Sequence, residues 1–308
     1  MRLSTLIANL ICLGLVAVDY VARTVRMQCF ARGVGCRTRF LDIFTLNAAG
    51  DAASSLTPLR AGGEPVRFYG LVTAGLSVSD TVAVMAVEGI IEWIGVAVIG
   101  TWIGWHFGGE WWRSVHHTLV PHLQHALPLI ALIAVVGLLA WVVAHRFLPH
   151  VTVHVGGTVR DALRLAVRMP VWVVAVAFIL TAVRILVRVW ILVVVMATAD
   201  MPPELGTVLV GSFALLYGQN FVPTPSGAGA IELGFLGGAA GYAGPDADAL
   251  LFMWRFYTTL TGIILGLLFG IPHYGTAIRR FLLRRRDARR TLVHQQLSDQ
   301  LRDNDAPG

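Results

Sequence analysis

The feature that most constrains this chain is a series of long apolar windows carrying no charge. Residues 126–144 hold none, and neither do 3–18, 205–231 and 256–270. About 20 apolar residues are needed to take a helix across roughly 30 Å of hydrocarbon. Backbone groups in lipid must find their partners inside the structure, which leaves helices or a closed barrel. A barrel would alternate polarity over segments of about ten residues, whereas these windows are continuous runs of Leu, Val, Ile and Ala. The chain is therefore read as an all-α polytopic membrane protein with about 7–8 membrane helices. Only 14% of its residues are charged, against about 25% in soluble domains, and its mean hydropathy is +0.69, which excludes an ordinary soluble globule.

Charge placement orients the spans. Seven arginines lie between residues 279 and 290, and the positive-inside rule holds such a flank on the cytoplasmic side. Residues 1–278 are thus expected to form the membrane domain and 279–308 a basic cytoplasmic tail. Working backwards, 249–270 runs outside to inside, the basic segment 146–168 is cytoplasmic, and 171–199 ends outside at the acidic turn 200–204. At the front, helices are expected over 3–21 and 41–57, joined by a basic loop over 23–39, and then over 82–105. Counting spans places that loop outside, against the rule, so the N-terminal orientation stays open.

Other features are read as bland. All 24 basic residues are Arg, which suits phosphate recognition but is explained more simply by codon usage. Cys12, Cys29 and Cys36 show no metal or disulfide spacing and are expected as free thiols. The Trp- and His-rich segment 106–125 reads as an interfacial loop with belt tryptophans, not as a metal site. No metal or cofactor is called for.

The interruptions are more informative than the apolar runs. Thr57-Pro58-Leu59-Arg60-Ala61-Gly62-Gly63 and Thr224-Pro225-Ser226-Gly227-Ala228-Gly229-Ala230 share a pattern, each preceded by an asparagine (Asn47, Asn220) and followed by a glutamate (Glu64, Glu232). Pro and Gly at membrane depth free backbone groups that protein or a wet cavity must satisfy, and transporters place substrate sites at such breaks, often in paired halves. The short segments 206–218 and 227–240 must either cross as a pair or form a re-entrant hairpin, since both of their flanks lie outside.

The second stretch, Pro223-Thr224-Pro225-Ser226-Gly227-Ala228-Gly229-Ala230-Ile231-Glu232, resembles the P-x-P-G-G-x-G-x-x-E segment of the lysylphosphatidylglycerol synthase transmembrane region family, also called flippase-like domain proteins. Ser226 stands where that pattern usually has its first Gly. An earlier stretch of the family is similar to Pro58-Leu59-Arg60-Ala61-Gly62-Gly63-Glu64-Pro65-Val66-Arg67, and its glutamate-bearing helix is similar to Glu88 to Glu92. The order of all three agrees, so the resemblance covers nearly the whole membrane part. It implies movement of a lipid between leaflets of the bacterial cytoplasmic membrane. Some members join this region to a soluble aminoacyl transferase domain, so a separate lipid-modifying enzyme is an expected partner here.

Charges within spans are costly and usually functional. Arg184 and Arg188 lie four apart on one helical face, as do Glu88 and Glu92. The two pairs could neutralise each other, or the arginines, with Arg60, Arg67 or Arg255, could receive a lipid phosphate through their forked N–H donors. Half-helix N-termini near Gly227 and Gly229 would add donors. Asn220, Pro225 and Glu232 complete the candidate site, with Glu232 pairing an arginine, binding a cationic group or carrying a proton.

The leading expectation is a lipid translocator acting on an anionic or phosphate-bearing head group, with no nucleic-acid or nucleotide partner. A membrane-embedded transferase of lipid-linked precursor synthesis is the second reading, although no metal-binding acidic pair or nucleophile with an adjacent base is found. A small-solute or ion carrier is the third.

Overall fold

A computed structural model describes residues 4–147, 169–199, 203–239, 246–270, 272 and 274, with side chains described except at 110, 114–147 and 237–239. The basic tail 279–308, most of the basic segment 146–168 and part of the acidic turn 200–204 lie outside the described residues.

Among the described residues every regular element is helical. Helix α1 (Thr5–Gly33) opens on Ser4, whose hydroxyl accepts the Ile7 N–H. The expected break after residue 21 is absent, and the helix continues through Arg23 and Arg26. No Gly or Pro interrupts residues 15–32, and both arginines find buried carboxylates, so a drop in hydropathy there marks a polar stripe and not a loop.

Helices α2 (Phe40–Leu56) and α3 (Gly63–Thr73) form a hairpin about a turn at residues 57–62. Helix α4 (Val78–Phe147) runs for 70 residues, so the segment 106–125 is helical where an interfacial loop was expected. Its stretch up to Pro121 holds only Gly108 and Gly109 as weak helix formers, which a long helix tolerates. Helix α5 (Val171–Met196) is followed by a second hairpin, α6 (Leu205–Gly218) and α7 (Ala230–Ala239). Helix α8 (Ala247–Gly270) contains two widened π-helical turns, Phe256–Leu260 and Gly266–Gly270.

Among the described residues four helical segments are long and apolar enough to cross a membrane: α1, the Val78–Gly109 part of α4, α5 and α8. The described hairpin helices, of 10 to 17 residues, fall short of the roughly 20 that a crossing needs. Large apolar side chains such as Leu10, Trp105, Trp172 and Leu233 point outward, the reverse of a soluble protein and the expected face toward lipid.

Helix α1 packs along α5, α4 along α6, and α2 along α8. The last contact is made by small residues. Gly262, Gly266 and Gly270 lie four apart on α8, and a Cβ added to them would meet Asp51, the Ala48 carbonyl and Ala49 on α2. Close backbone approach through small residues is a standard solution in lipid, where apolar burial does not drive helices together.

Candidate functional site

The two interruptions meet. Pro58 and Pro225 form an antiparallel bridge, and the Ser226 hydroxyl donates to the Ser55 carbonyl at 2.9 Å. Each proline is followed by two residues with left-handed backbone: Leu59 (φ 52) and Arg60 (φ 57) in one turn, Ser226 (φ 50) and Gly227 (φ 66) in the other. The turn hydrogen bonds correspond as well. Arg60 N–H bonds the Thr57 carbonyl and Ala61 N–H that of Pro58, while Gly227 N–H bonds the Thr224 carbonyl and Ala228 N–H that of Pro225. The shared sequence pattern is thus a shared turn, and an antiparallel bridge between equivalent residues is what a local two-fold relation between the hairpins produces. Three of these four positions are not glycine, and each left-handed residue of that kind costs about 1–2 kcal/mol, so the surrounding packing holds them there.

Beside these tips the spanning helices enclose a charged network. Arg26 of α1 donates to Glu88 at 2.6 Å, to Glu92 at 2.7 Å and to the Thr181 hydroxyl at 2.6 Å. Arg184 of α5 pairs with Glu92 and reaches Asp19 at 4.0 Å. Of the two pairs that could neutralise each other, only Glu92 and Arg184 meet; Glu88 pairs with Arg26 instead, and Arg188 turns to the Thr258 carbonyl.

A second cluster centres on Asp51 of α2. It accepts from Tyr20 at 2.9 Å, from both terminal nitrogens of Arg23, and from Arg67 at 3.3 Å. Arg67 also reaches the exposed Glu64 at 3.4 Å, and Asp19 lies 3.4 Å from Arg23. Among the described residues the buried carboxylates Asp19, Asp51 and Glu88 and the half-buried Glu92 are therefore all within ion-pair distance of an arginine.

Between the clusters and the first hairpin tip lies a narrow polar pocket. Asp19, Arg23, Asp51, Arg60 and Arg188 line it, with hydroxyls from Tyr20, Ser55 and Thr258. It has room for about one water molecule. Arg188 donates to the Thr258 carbonyl at 2.9 Å, within the first widened turn of α8. Among the described residues neither Arg60 nor Arg188 has a carboxylate within 4.0 Å.

The remaining candidates gather at the second hairpin. Glu232 accepts from Arg255 at 2.6 and 2.9 Å and caps the Gly229 N–H at 2.6 Å. Arg255 also donates to the Ser226 carbonyl at 2.9 Å. Gly229 (φ 87) and Gly227 take backbone that few side chains adopt, and a Cβ on Gly227 would lie 2.9 Å from Gln219 and Ile231. Asn220 sits in the short turn Gln219–Phe221 and Pro225 at the exposed face of the bridge.

A family model described as the lysylphosphatidylglycerol synthase TM region matches residues 2–266. The chain belongs to this family. The matched span takes in both hairpins, both ion-pair clusters and the pocket. No aminoacyl transferase domain is found in these 308 residues. No curated protein matches the chain.

Arg23 and Arg26 are missed by a reading that makes 23–39 a loop, and Asp19 and Asp51, inside the expected helices 3–21 and 41–57, are missed because their arginine partners fall in that loop. The signal available was Asp19 and Arg23 at i and i+4, the spacing of a helical ion pair, in a stretch with no helix breaker.

Proposed function

We propose that this protein of the lysylphosphatidylglycerol synthase transmembrane region family is a lipid translocator that carries a phosphate-bearing head group between leaflets. The observation that carries the reading is the pair Arg60 and Arg188, which line a polar pocket between spanning helices without a carboxylate partner among the described residues. An uncompensated guanidinium at membrane depth is costly, and its forked donors match phosphate oxygens, so a passing head group supplies what the pocket lacks.

The other arginines serve a different end. Arg23, Arg26 and Arg184 are locked onto carboxylates and hold α1, α2, α4 and α5 in register around the pocket. The acyl chains stay against the outward apolar faces of the same helices. With room for about one water molecule, the pocket as it stands is closed to a head group. Transport therefore involves parting α1 and α8 from the hairpin tip, and the widened turns of α8 are a natural place for that flexing. The protein would work in the cytoplasmic membrane with its basic tail inside, beside an enzyme that makes or consumes the lipid.

The test is a leaflet-sidedness assay in proteoliposomes with head-group-labelled lipids. Wild type is expected to move label between leaflets, and Arg60→Gln or Arg188→Gln to slow it by about tenfold or more, the effect of losing one charge-assisted hydrogen bond of roughly 1.5–3 kcal/mol. Movement of no lipid by the wild type would sink the reading.

A further inference from the structure

We infer that the head group taken by this pocket is a terminal phosphate carrying two negative charges, a phosphate monoester or diphosphate, and not a zwitterionic or cationic aminoacylated group; this rests on the translocator reading above.

Two independent observations point the same way. The first is charge. The Arg26, Arg184, Glu88 and Glu92 group is balanced, two against two. The pocket wall sets Arg23, Arg60 and Arg188 against Asp19 and Asp51, and Arg67 adds a further positive charge on Asp51. Its only other carboxylate, Glu64, is largely exposed. The excess is carried by Arg60 and Arg188, the two guanidiniums of that wall without a carboxylate within 4.0 Å among the described residues. An ammonium group entering here would find Asp51 held by Tyr20, Arg23 and Arg67 and Asp19 already within 4.0 Å of both Arg23 and Arg184, and it would face the two uncompensated cations at short range in a medium of low dielectric.

The second observation is space. A pocket with room for about one water molecule needs the least widening for a bare phosphate. A diester bearing glycerol, or glycerol and an amino acid, would have to open the seam of α1, α2, α5 and α8 much further. A terminal phosphate also presents three oxygens to donors converging from different elements, Arg60 from the hairpin tip and Arg188 from α5. Tyr20 and Ser55 line the same wall, with the Tyr20 hydroxyl donating to Asp51.

The experiment uses the full chain in liposomes of zwitterionic lipid, with trace phosphatidic acid, phosphatidylglycerol and lysylphosphatidylglycerol of matched, labelled acyl chains. Phosphatidic acid is expected to change leaflet about tenfold faster than the other two, the discrimination of one added charge pair. Its rate is expected to rise from pH 5 to 8 as the second phosphate proton, of pKa about 6, leaves, while the phosphatidylglycerol rate stays flat. Unlabelled polyprenyl phosphate should compete. Inorganic phosphate at millimolar concentration should not, and inhibition by it would reassign the site to a soluble phosphate.

Arg60→Gln and Arg188→Gln should each erase the preference, while Arg188→Lys, which keeps the charge, should keep part of it. Should a variant fail to elute as a folded species, the wild-type selectivity and pH profile decide alone. Equal or faster movement of lysylphosphatidylglycerol overturns the charge inference and leaves translocation standing; movement of no lipid removes both.

Discussion

The hydroxyl of Ser226 donates to the carbonyl of Ser55 at 2.9 Å, tying the tip of the second hairpin to the end of α2. The position has left-handed backbone, φ 50, and its side chain is buried. Replacement by glycine trades one hydrogen bond, worth about 1 kcal/mol, against relief of about 1–2 kcal/mol of backbone strain. Ser226→Gly should therefore melt within a few degrees of wild type in a detergent thermal-unfolding assay. Ser226→Val keeps the strain, adds a branched Cβ and leaves the Ser55 carbonyl bare, and should melt clearly lower. Equal melting of the two variants would mean that the tip contact contributes nothing.

Arg26 is the hub of the ion-pair group it forms with Glu88, Glu92 and Arg184, and its side chain is 2% exposed. Removing it leaves Glu88 and Glu92 facing each other without their shared cation, a loss of about 3–5 kcal/mol. Arg26→Leu should yield little folded protein by size-exclusion chromatography. Glu88→Gln should be far milder, because Arg26 keeps Glu92 and Thr181.

Gly266 of α8 lies against α2, where an added Cβ would sit 2.5 Å from the Ala48 carbonyl oxygen. Gly266→Leu should separate the two helices and lower the melting temperature by several degrees. Gly14→Leu, where nothing lies within 4 Å, is the control and should leave it unchanged. Comparable losses would refute the close α2–α8 packing.

Glu232 and Arg255 pair directly, with Glu232 also capping Gly229. Glu232→Gln removes the charge yet retains an acceptor for both donors, so a melting shift worth about 1 kcal/mol is expected. Arg255→Leu strands a carboxylate that is about one-third exposed and also frees the Ser226 carbonyl, so it should cost more. The pairing is wrong if Glu232→Gln is the more damaging of the two.

Much of this arrangement was legible beforehand because its causes are local. Proline and glycine in an apolar run announced both turns, and the order they share agrees with the like backbone that Leu59 and Arg60 adopt opposite Ser226 and Gly227. The i and i+4 spacing placed Glu88 and Glu92, and likewise Arg184 and Arg188, on common faces. What escaped notice depends on long-range partners. Nothing near Arg26 in the chain reveals that Glu88, Glu92 and Thr181 will surround it, so a charged stretch with buried partners reads like a loop in hydropathy. Nor does spacing tell that Arg184 would be consumed by Glu92 while Arg188, one turn on, would face the pocket.

The buried arginines of α1 also bear on how the protein is made. An isolated arginine at the middle of a helix opposes insertion by about 2.5–3.5 kcal/mol, and α1 carries Arg23 and Arg26, both buried in the folded protein. Their partners, Asp51, Glu88, Glu92 and Thr181, emerge from the ribosome later. Helix α1 is synthesised before these partners and is thus among the last to be satisfied, which predicts that it waits at the insertion machinery until α5 arrives. Truncated nascent chains ending before residue 171 should leave α1 extractable by alkali, and chains extending past residue 196 should not.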